Sequence, residues 1–251
     1  MRHLIPRLAL VCLCALQLPA SADTLKVLTT GAFKQVVQAL APAFEQRTGH
    51  QVQISNDTAG ALVKRIEQGE TFDVVVLTPA ALESLGQRGT VAGASIVPLA
   101  QVGIGVAVAK GQSQPVLNTV DDFVQALRQA RKVAYINPKS GGSSGIYLEG
   151  LFRQLQIDQE VHAKAVLVNG GLVAEKLVSG EADLAIHQIS EILPVSGAQL
   201  VGALPESIQN HTRYAGAVSA HTPRANLAHD FLQSFTTPMA AQIIAAKGMR
   251  R

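Results

Sequence analysis

Apolar runs typical of β-strands alternate with segments of helical spacing along almost the whole chain. Residues 25–28 are predicted as a strand, and the next segment repeats apolar side chains along one helix face. Those side chains are Phe33, Val36, Val37, Leu40 and Phe44. Residues 73–77 contain a continuous apolar run, which is typical of a strand buried on both faces of a parallel sheet. The alternation predicts an α/β fold with parallel strands.

The same alternation continues to the end of the chain. We predict further strands at 52–55, 102–109, 132–136, 165–168 and 183–187. We predict further helices around 62–66, 80–85, 121–131, 148–155 and 172–178, and two more in the C-terminal part. Thr119 or Asp121 is the predicted cap of the helix at 121–131, and Pro238 the predicted start of the last helix.

The loops after the predicted strands share a donor-rich composition. In open α/β sheets, ligands bind beyond the carboxyl ends of the strands. That rule selects five places: 29–32, 56–60, 78–79, 140–145 and 187–188. Four of them are rich in hydroxyl groups and glycine and poor in carboxylates. Such a set of donors suits a carboxylate, sulfate-like or phosphate-like ligand better than a cation or a sugar.

The loop at 136–147 joins a predicted strand to a predicted helix and carries the clearest chemistry. Its glycines let the backbone approach a ligand closely, and the positive end of the helix dipole favours an anion there. Ser143 and Ser144 can cap the helix or donate to a ligand oxygen. Lys139 precedes the glycines, so the loop is no phosphate-binding P-loop. An ordinary glycine-rich loop that only caps its helix is the alternative.

The first 22 residues have the pattern of a cleaved secretory signal peptide. A basic start precedes an apolar core at 8–18, too short to span a bilayer comfortably, and a small-residue cleavage site at 20–22. We therefore predict a mature chain that begins at Asp23 and lies in the periplasm. The two cysteines, Cys12 and Cys14, fall inside the signal, which excludes disulfides and cysteine-bound metal from the mature protein.

Charge and composition exclude several classes of partner. Without the two arginines of the signal, the chain has 19 basic and 18 acidic residues. This nearly neutral net charge argues against binding to nucleic acid or to an anionic membrane. The absence of Trp argues against a sugar site built on stacked rings. No spacing of His, Asp and Glu suggests a metal site, and no serine triad order is present, so we expect neither metal nor cofactor.

Short segments distributed over the whole predicted mature chain resemble the periplasmic molybdate-binding protein family of ABC importers. The matching segments are 27–33, 59–69, 72–75, 144–147, 184–187 and 204–206, with Tyr214 after them. The resemblance implies a two-lobed periplasmic solute-binding fold with a ligand cleft between the lobes. It further implies a first lobe at 23–101 plus 214–251, a second lobe at 102–213, and a monomer that works with the membrane subunits of an ABC transporter.

The chain departs from this family at three ligand positions. Ala32 stands where the family has a serine that donates to the oxyanion, a serine-rich turn becomes Thr58-Ala59-Gly60, and His187 replaces a tyrosine. Losing hydroxyl donors leaves the oxygens of a small dianion underpaired, and smaller residues enlarge the pocket. We therefore predict a larger organic anion, such as a di- or tricarboxylate. The predicted ligand-binding residues are Thr30, Gly31, Ala32, Thr58, Ala59, Lys139, Ser143, Ser144, Gly145, Gly170 and His187.

Aconitate isomerases are similar to this family too, and they imply an alternative function. They move the double bond of a tricarboxylate by a 1,3 proton shift without a metal or organic cofactor. Such chemistry needs a base of near-neutral pKa, donors for several carboxylates and a site screened from water. His187 is the candidate base, although a histidine at a strand end can also be purely structural. Whether Lys64, Arg65 or Glu191 contacts the ligand stays open.

Overall fold

Residues 22–251 of the chain are described by a computed structural model. The predicted signal peptide lies, except for its last residue, outside the described residues. Among residues 22–251, no helix is both long enough and apolar enough to cross a membrane. In chain order, the strands are β1 Thr24–Thr30, β2 Gln51–Asp57, β3 Val74–Leu77, β4 Val97–Val102, β5 Ile104–Ala109, β6 Val133–Ile136, β7 Ala165–Val168, β8 Leu184–Gln188, β9 Ala198–Ala203 and β10 Thr212–Val218.

Helices follow most of these strands, as the alternation predicts. In chain order they are α1 Gly31–Thr48, α2 Ala59–Glu67, α3 Pro79–Gln87, α4 Val120–Gln129, α5 Ser143–Gln154, α6 Asp158–His162, α7 Glu175–Val178, α8 Ile189–Ile192, α9 Ala225–Ser234 and α10 Pro238–Ala246. Thr119 caps α4 through a reciprocal pair of bonds with Asp122, and α10 begins at the predicted Pro238.

The strands form two five-stranded sheets. The first has the order β2-β1-β3-β10-β4 and the second the order β7-β6-β8-β5-β9. β10 runs antiparallel to β3 and β4, and β5 runs antiparallel to β8 and β9. The prediction of parallel strands throughout was therefore wrong for these two, which are the strands that the chain enters on arriving from the other sheet.

The predicted strand at 102–109 is in fact the junction between the two sheets. β4 ends at Val102 in the first sheet, Gly103 follows, and β5 begins at Ile104 in the second. The apolar run hides the break because both strands are buried in their own sheets. The chain returns between β9 and β10, and the predicted lobe limits, 23–101 plus 214–251 and 102–213, stay a prediction.

Gln209, in the returning connection, ties the two crossings together. Its side chain accepts a hydrogen bond from the N–H of Ile104 at 2.8 Å and donates to the carbonyl of the same residue at 2.9 Å. The N–H of Asn210 also donates to the Gln209 amide oxygen at 2.9 Å. Because the two crossings are joined by side-chain bonds, they form one compact connection between the sheets.

Each sheet packs apolar helix faces on both sides. On one side of the first sheet, α1 places Phe33 and Phe44 against Phe231 and Phe235 of α9 and the residue that follows it. The other side is covered by α2 and α3. The packing of α1 and α2 on the first sheet and of α5 on the second places the N-termini of these helices at the strand ends where the two sheets face each other.

Gly145 in the first turn of α5 allows that helix to approach the end of β6. A Cβ atom at this position would overlap the carbonyl oxygen of Ile136. Gly150 lies on the same helix, and a Cβ atom there would meet nothing within 4 Å. The close approach at Gly145 therefore positions the start of α5, whereas Gly150 has no such role.

We expect Gly145→Ala to lower the free energy of unfolding by roughly 1–3 kcal/mol, because backbone must move to admit the methyl group. The matched control Gly150→Ala should raise it by up to about 1 kcal/mol through helix propensity alone. Urea unfolding followed by circular dichroism measures both. Equal effects of the two substitutions would contradict the close-approach role of Gly145.

Candidate functional site

A cavity between the two sheets contains most of the predicted ligand-binding residues. From the first sheet and its helices come Thr30, Gly31, Ala32, Thr58 and Ala59. From the second come Ser143, Ser144 and His187. These residues are brought together because β1, β2, β6 and β8 all end at this cavity. Their role in binding a ligand is still a prediction.

Three other predicted residues lie outside the cavity wall. Lys139 is exposed and lies on an outer groove together with Tyr135 and Glu149. Gly145 packs inside the first turn of α5, and Gly170 is exposed at the rim, where a Cβ atom would lie 3.7 Å from Asp57 Oδ1. The position of Lys139 next to Ser140 does not fix the direction of its side chain, so the sequence alone could not distinguish a ligand contact from an exposed loop lysine.

The two cationic residues of α2 also stay out of the cavity wall. Lys64 is exposed. Arg65 forms an ion pair with Glu70 at 2.6 Å, lies 3.5 Å from Asp57 Oδ2, and donates to Ser55. No lysine or arginine is among the residues of the 22–251 range that line the cavity. Any positive potential in the cavity therefore comes from backbone dipoles and from protons on its own titratable groups.

Several residues that line the cavity are absent from the predicted ligand-binding set, although the sequence left a contact of Glu191 with the ligand open. Gln188 and Glu191 follow His187 at the start of the short helix α8, and Tyr214 reaches the cavity from β10. Asn56 and Asp57 end β2. Gln188 and Asn56 belonged to the selected loop segments, but nothing in the pattern distinguished their side chains. Tyr214 is among the residues that carry the family resemblance, but no strand was predicted at β10, so its place in the cavity wall was not predicted.

The starts of α1 and α5 present uncapped backbone donors to the cavity. Neither helix receives a side-chain cap from its preceding residue, Thr30 or Gly142, and neither has an acidic residue in its first turn. The first N–H groups of a helix have no partner within the helix, and they carry the positive end of its dipole. α2 differs, because Thr58 accepts from the N–H of Ala61 at 3.2 Å.

The edges of the cavity touch, so the lobes are closed. The N–H of Gly60 donates to the carbonyl of Gly141 at 3.1 Å, and the Thr58 hydroxyl donates to the carbonyl of Ser140. A Cβ atom on Gly60 would lie only 2.8 Å from the Cα of Gly141. The free volume in this conformation is about 30 Å³, room for about two water molecules. A larger ligand requires the lobes to separate.

His187 and Glu191 form a buried pair in the cavity wall. His187 Nε2 lies 3.2 Å from Glu191 Oε2, and the side chains are only 2% and 9% exposed. Burial lowers the pKa of the His187 imidazole from its usual 6.5 to about 3 and raises the pKa of the Glu191 carboxyl from 4.5 to about 8. Both shifts favour the uncharged forms, so at neutral pH the pair as a whole carries no net charge.

Three buried polar atoms of cavity residues have no hydrogen-bond partner in the described part of the chain. They are Thr30 Oγ1, His187 Nδ1 and Gln188 Nε2. Leaving such an atom unpaired costs roughly 1–3 kcal/mol each, and native proteins rarely do so without a reason. Burial raises the pKa of Tyr214 above its ordinary value, so its phenol stays protonated and donates to Gln188 Oε1 at 2.9 Å.

Comparison with known sequences gives two findings. The sequence profile of a family described as bacterial extracellular solute-binding protein matches residues 25–250. A protein of Pseudomonas sp named aconitate isomerase is 34% identical over 256 residues, which covers 98% of this chain and 96% of that protein. The similarity therefore extends over both sheets and every residue of the cavity.

Solved structures of other proteins share the fold. The Azotobacter vinelandii periplasmic molybdate-binding protein has a TM-score of 0.76 at 24% identity, covering 90% of this chain and 99% of that chain. The sulfate-binding protein of Mycobacterium tuberculosis has a TM-score of 0.72 at 18% identity, covering 91% and 86%. The predicted two-lobed solute-binding architecture is confirmed.

The buried pair makes the stability of the free protein depend on pH. The contribution of Glu191 to the free energy of unfolding is complete below pH 4.5 and is lost as the pH rises through about 8. The contribution of His187 is complete above pH 6.5 and is lost as the pH falls through about 3. The two trends oppose each other between 4.5 and 6.5. Only Glu191 acts between 6.5 and 8.

We therefore expect the free energy of unfolding to fall between pH 6.5 and 8, with a slope of up to about 1.4 kcal/mol per pH unit. Glu191→Gln should remove this slope, and Glu160→Gln, which changes an exposed carboxylate on α6, should keep it. Urea unfolding at several pH values measures the slope. A slope that persists in Glu191→Gln would contradict the assigned burial of that carboxyl.

Proposed function

This chain belongs to the bacterial extracellular solute-binding protein family, and on that premise we propose that its cleft binds a small organic anion of the di- or tricarboxylate class. The observation that carries the proposal is the wall of the cavity. Within residues 22–251, two uncapped helix starts and three unpartnered buried polar atoms line a space that has no lysine or arginine in its wall. Oxygen atoms of an anion would pair the donors among them and interact favourably with both dipoles.

The balance of donors favours a carboxylate over a small tetrahedral oxyanion. Ala32 and Ala59 contribute no hydroxyl group, and the hydroxyl of Thr58 is already bound to Ser140. The remaining donors belong to both sheets and their helices, among them the starts of α1 and α5, the Thr30 hydroxyl and the Gln188 amide. A ligand with several carboxylates would offer acceptors to donors on each side of the cleft. It would also hold the lobes further apart than in the closed structure, breaking the contact between Gly60 and Gly141.

We propose a periplasmic location and delivery of the anion to the membrane subunits of an ABC transporter. The proposal is supported by family membership, by the likeness to a periplasmic molybdate-binding protein, and by the secretory pattern of the first 22 residues. A soluble monomer with one cleft is the form that this role requires.

The pair of His187 and Glu191 favours a second candidate, a cofactor-independent isomerase that acts on aconitate. The pair is buried, it lies in the ligand cavity, and a relative 34% identical carries the name aconitate isomerase. The chemistry needs a base of near-neutral pKa, whereas burial lowers the pKa of the His187 imidazole to about 3, so His187 can act as the base only beside an ionised Glu191. In this reaction His187 Nδ1 takes a proton from the methylene carbon, and the electron pair of that C–H bond forms the new double bond. The electrons of the old double bond move onto the flanking carboxylate as a dienolate, and the proton returns at the far carbon.

The two candidates require different proton arrangements on this pair. With Glu191 protonated and bound to Nε2, the imidazole carries its proton on Nδ1 and donates to an anion. After loss of one proton, Glu191 accepts from Nε2–H and Nδ1 becomes a free base. Affinity for an anion should therefore fall as the pH rises through about 8, whereas isomerase turnover should rise over the same range.

We expect cis-aconitate, citrate or tricarballylate to bind more tightly than molybdate or sulfate when the purified protein is titrated in a calorimeter. The donors on the two sides of the cleft would pair with several carboxylates, whereas a small tetrahedral ion would leave some of these donors without a partner. Ser55→Ala, which changes a hydroxyl bound to Arg65 outside the cavity wall, is the control. Tight binding of molybdate without any response to the carboxylates would overturn the organic-anion proposal.

For the isomerase, we expect trans-aconitate to appear when the protein is incubated with cis-aconitate in deuterated buffer and followed by proton NMR. Because the base would be removed, His187→Gln should lower turnover roughly a hundredfold or more, and because the glutamine amide can still donate an N–H to the anion, binding should be largely intact. His162→Gln, on the outer groove, is the matched control. Tight binding of cis-aconitate with no turnover by the unsubstituted protein would leave the binding function alone.

A further inference from the structure

Gln188 is buried in the cavity wall with half of its amide group unpaired. The residue is 3% exposed, ends β8 and lines the cavity beside His187. Its oxygen, Oε1, accepts the hydroxyl proton of Tyr214 at 2.9 Å, whereas its nitrogen, Nε2, has no partner within residues 22–251. An amide nitrogen carries two N–H donors and cannot accept, so only an acceptor can satisfy it.

The bond from Tyr214 determines which end of the amide is left for a ligand. Tyr214 belongs to β10 of the first sheet and Gln188 to β8 of the second, so the bond joins the two lobes at the cavity wall. The phenol stays protonated because burial raises its pKa above the ordinary value. A protonated phenol can donate, and in the structure it does so to the amide oxygen, which leaves the amide nitrogen free for another acceptor.

We propose that Gln188 is a ligand-binding residue that selects acceptor oxygens, and that Tyr214 is the positioning residue that holds its amide in the donating orientation. The inference rests on the proposed anion-binding function and names the side chain that recognises the anion. The Gln188 amide supplies a neutral donor where the cavity wall has no lysine or arginine. It discriminates against ligands that present N–H groups or a positive charge at this point, since two donors would then face each other.

Two substitutions of Gln188 test the donor role. Gln188→Glu keeps the shape and an acceptor for Tyr214 but exchanges the N–H donors for an acceptor oxygen. Gln188→Leu removes both functions without adding charge. We expect each to weaken binding of cis-aconitate, measured by calorimetry, roughly tenfold or more, the usual effect of losing a hydrogen bond to a charged group. Thermal unfolding without ligand identifies any variant that fails to fold.

The role of Tyr214 is tested by a double-mutant cycle. Tyr214→Phe should weaken binding of cis-aconitate roughly threefold to tenfold in the unsubstituted protein and have no further effect in the Gln188→Leu background. A purely structural role of the hydroxyl would give the same effect in both backgrounds. Tyr135→Phe is the matched control, because Tyr135 is a second buried tyrosine that lies outside the cavity wall. Its hydroxyl has no hydrogen-bond partner within residues 22–251.

The outcomes distinguish a failure of the anion-binding function from a failure of the roles assigned to Gln188 and Tyr214. Titration with molybdate as a second probe is run on the same variants. If the unsubstituted protein binds neither probe, the anion-binding function is wrong and the inference falls with it. If it binds a probe and both Gln188 variants bind that probe as tightly as the unsubstituted protein does, only the assignment of Gln188 is overturned. Additive effects of Tyr214→Phe and Gln188→Leu would overturn the positioning role.

Discussion

The structure depends on one constraint, which is the pairing of buried polar atoms around a cavity that is closed to water. Two lobes can close over polar loops only when each buried donor and acceptor finds a partner. Most do so within the chain, as in the bond from Gly60 to Gly141 across the edges of the cavity. Within residues 22–251, the exceptions in the cavity wall are Thr30, His187 and Gln188, and we propose that a ligand completes the pairing there.

The rest of the fold serves to bring these exceptions together. Each lobe buries apolar helix faces on both sides of a sheet, which fixes the helix starts at the strand ends. The two crossings, joined by Gln209, connect the two sheets, and the edges of the cavity meet at a hydrogen bond between Gly60 and Gly141. Small residues at those edges, above all Gly60 and Gly141, allow backbone to meet backbone. The same arrangement permits a wider closure around a larger anion.

The sequence predicts the elements well where one physical signal dominates. The run at 73–77 and the loop at 136–147 are specified by local pattern, and the structure has β3 and the start of α5 there. The pattern fails at Gly103, because two buried strands of different sheets read as a single apolar run. It fails also for Lys139, whose side-chain direction depends on packing. Gln188 and Tyr214 were not predicted as cavity residues, and Glu191 was left open, because their place in the cavity wall follows from which strands become neighbours, and hydropathy carries no information about that.

A crystal structure of the protein grown with cis-aconitate tests the central claim most directly. The account predicts electron density for the anion in the cleft, with carboxylate oxygens within about 3 Å of the first N–H groups of α1 and α5 and of Gln188 Nε2. It also predicts that the backbones of Gly60 and Gly141 lie further apart than the 3.1 Å hydrogen bond of the closed form allows. An occupied cleft in which those donors stay unpaired, or an anion bound elsewhere, would contradict it.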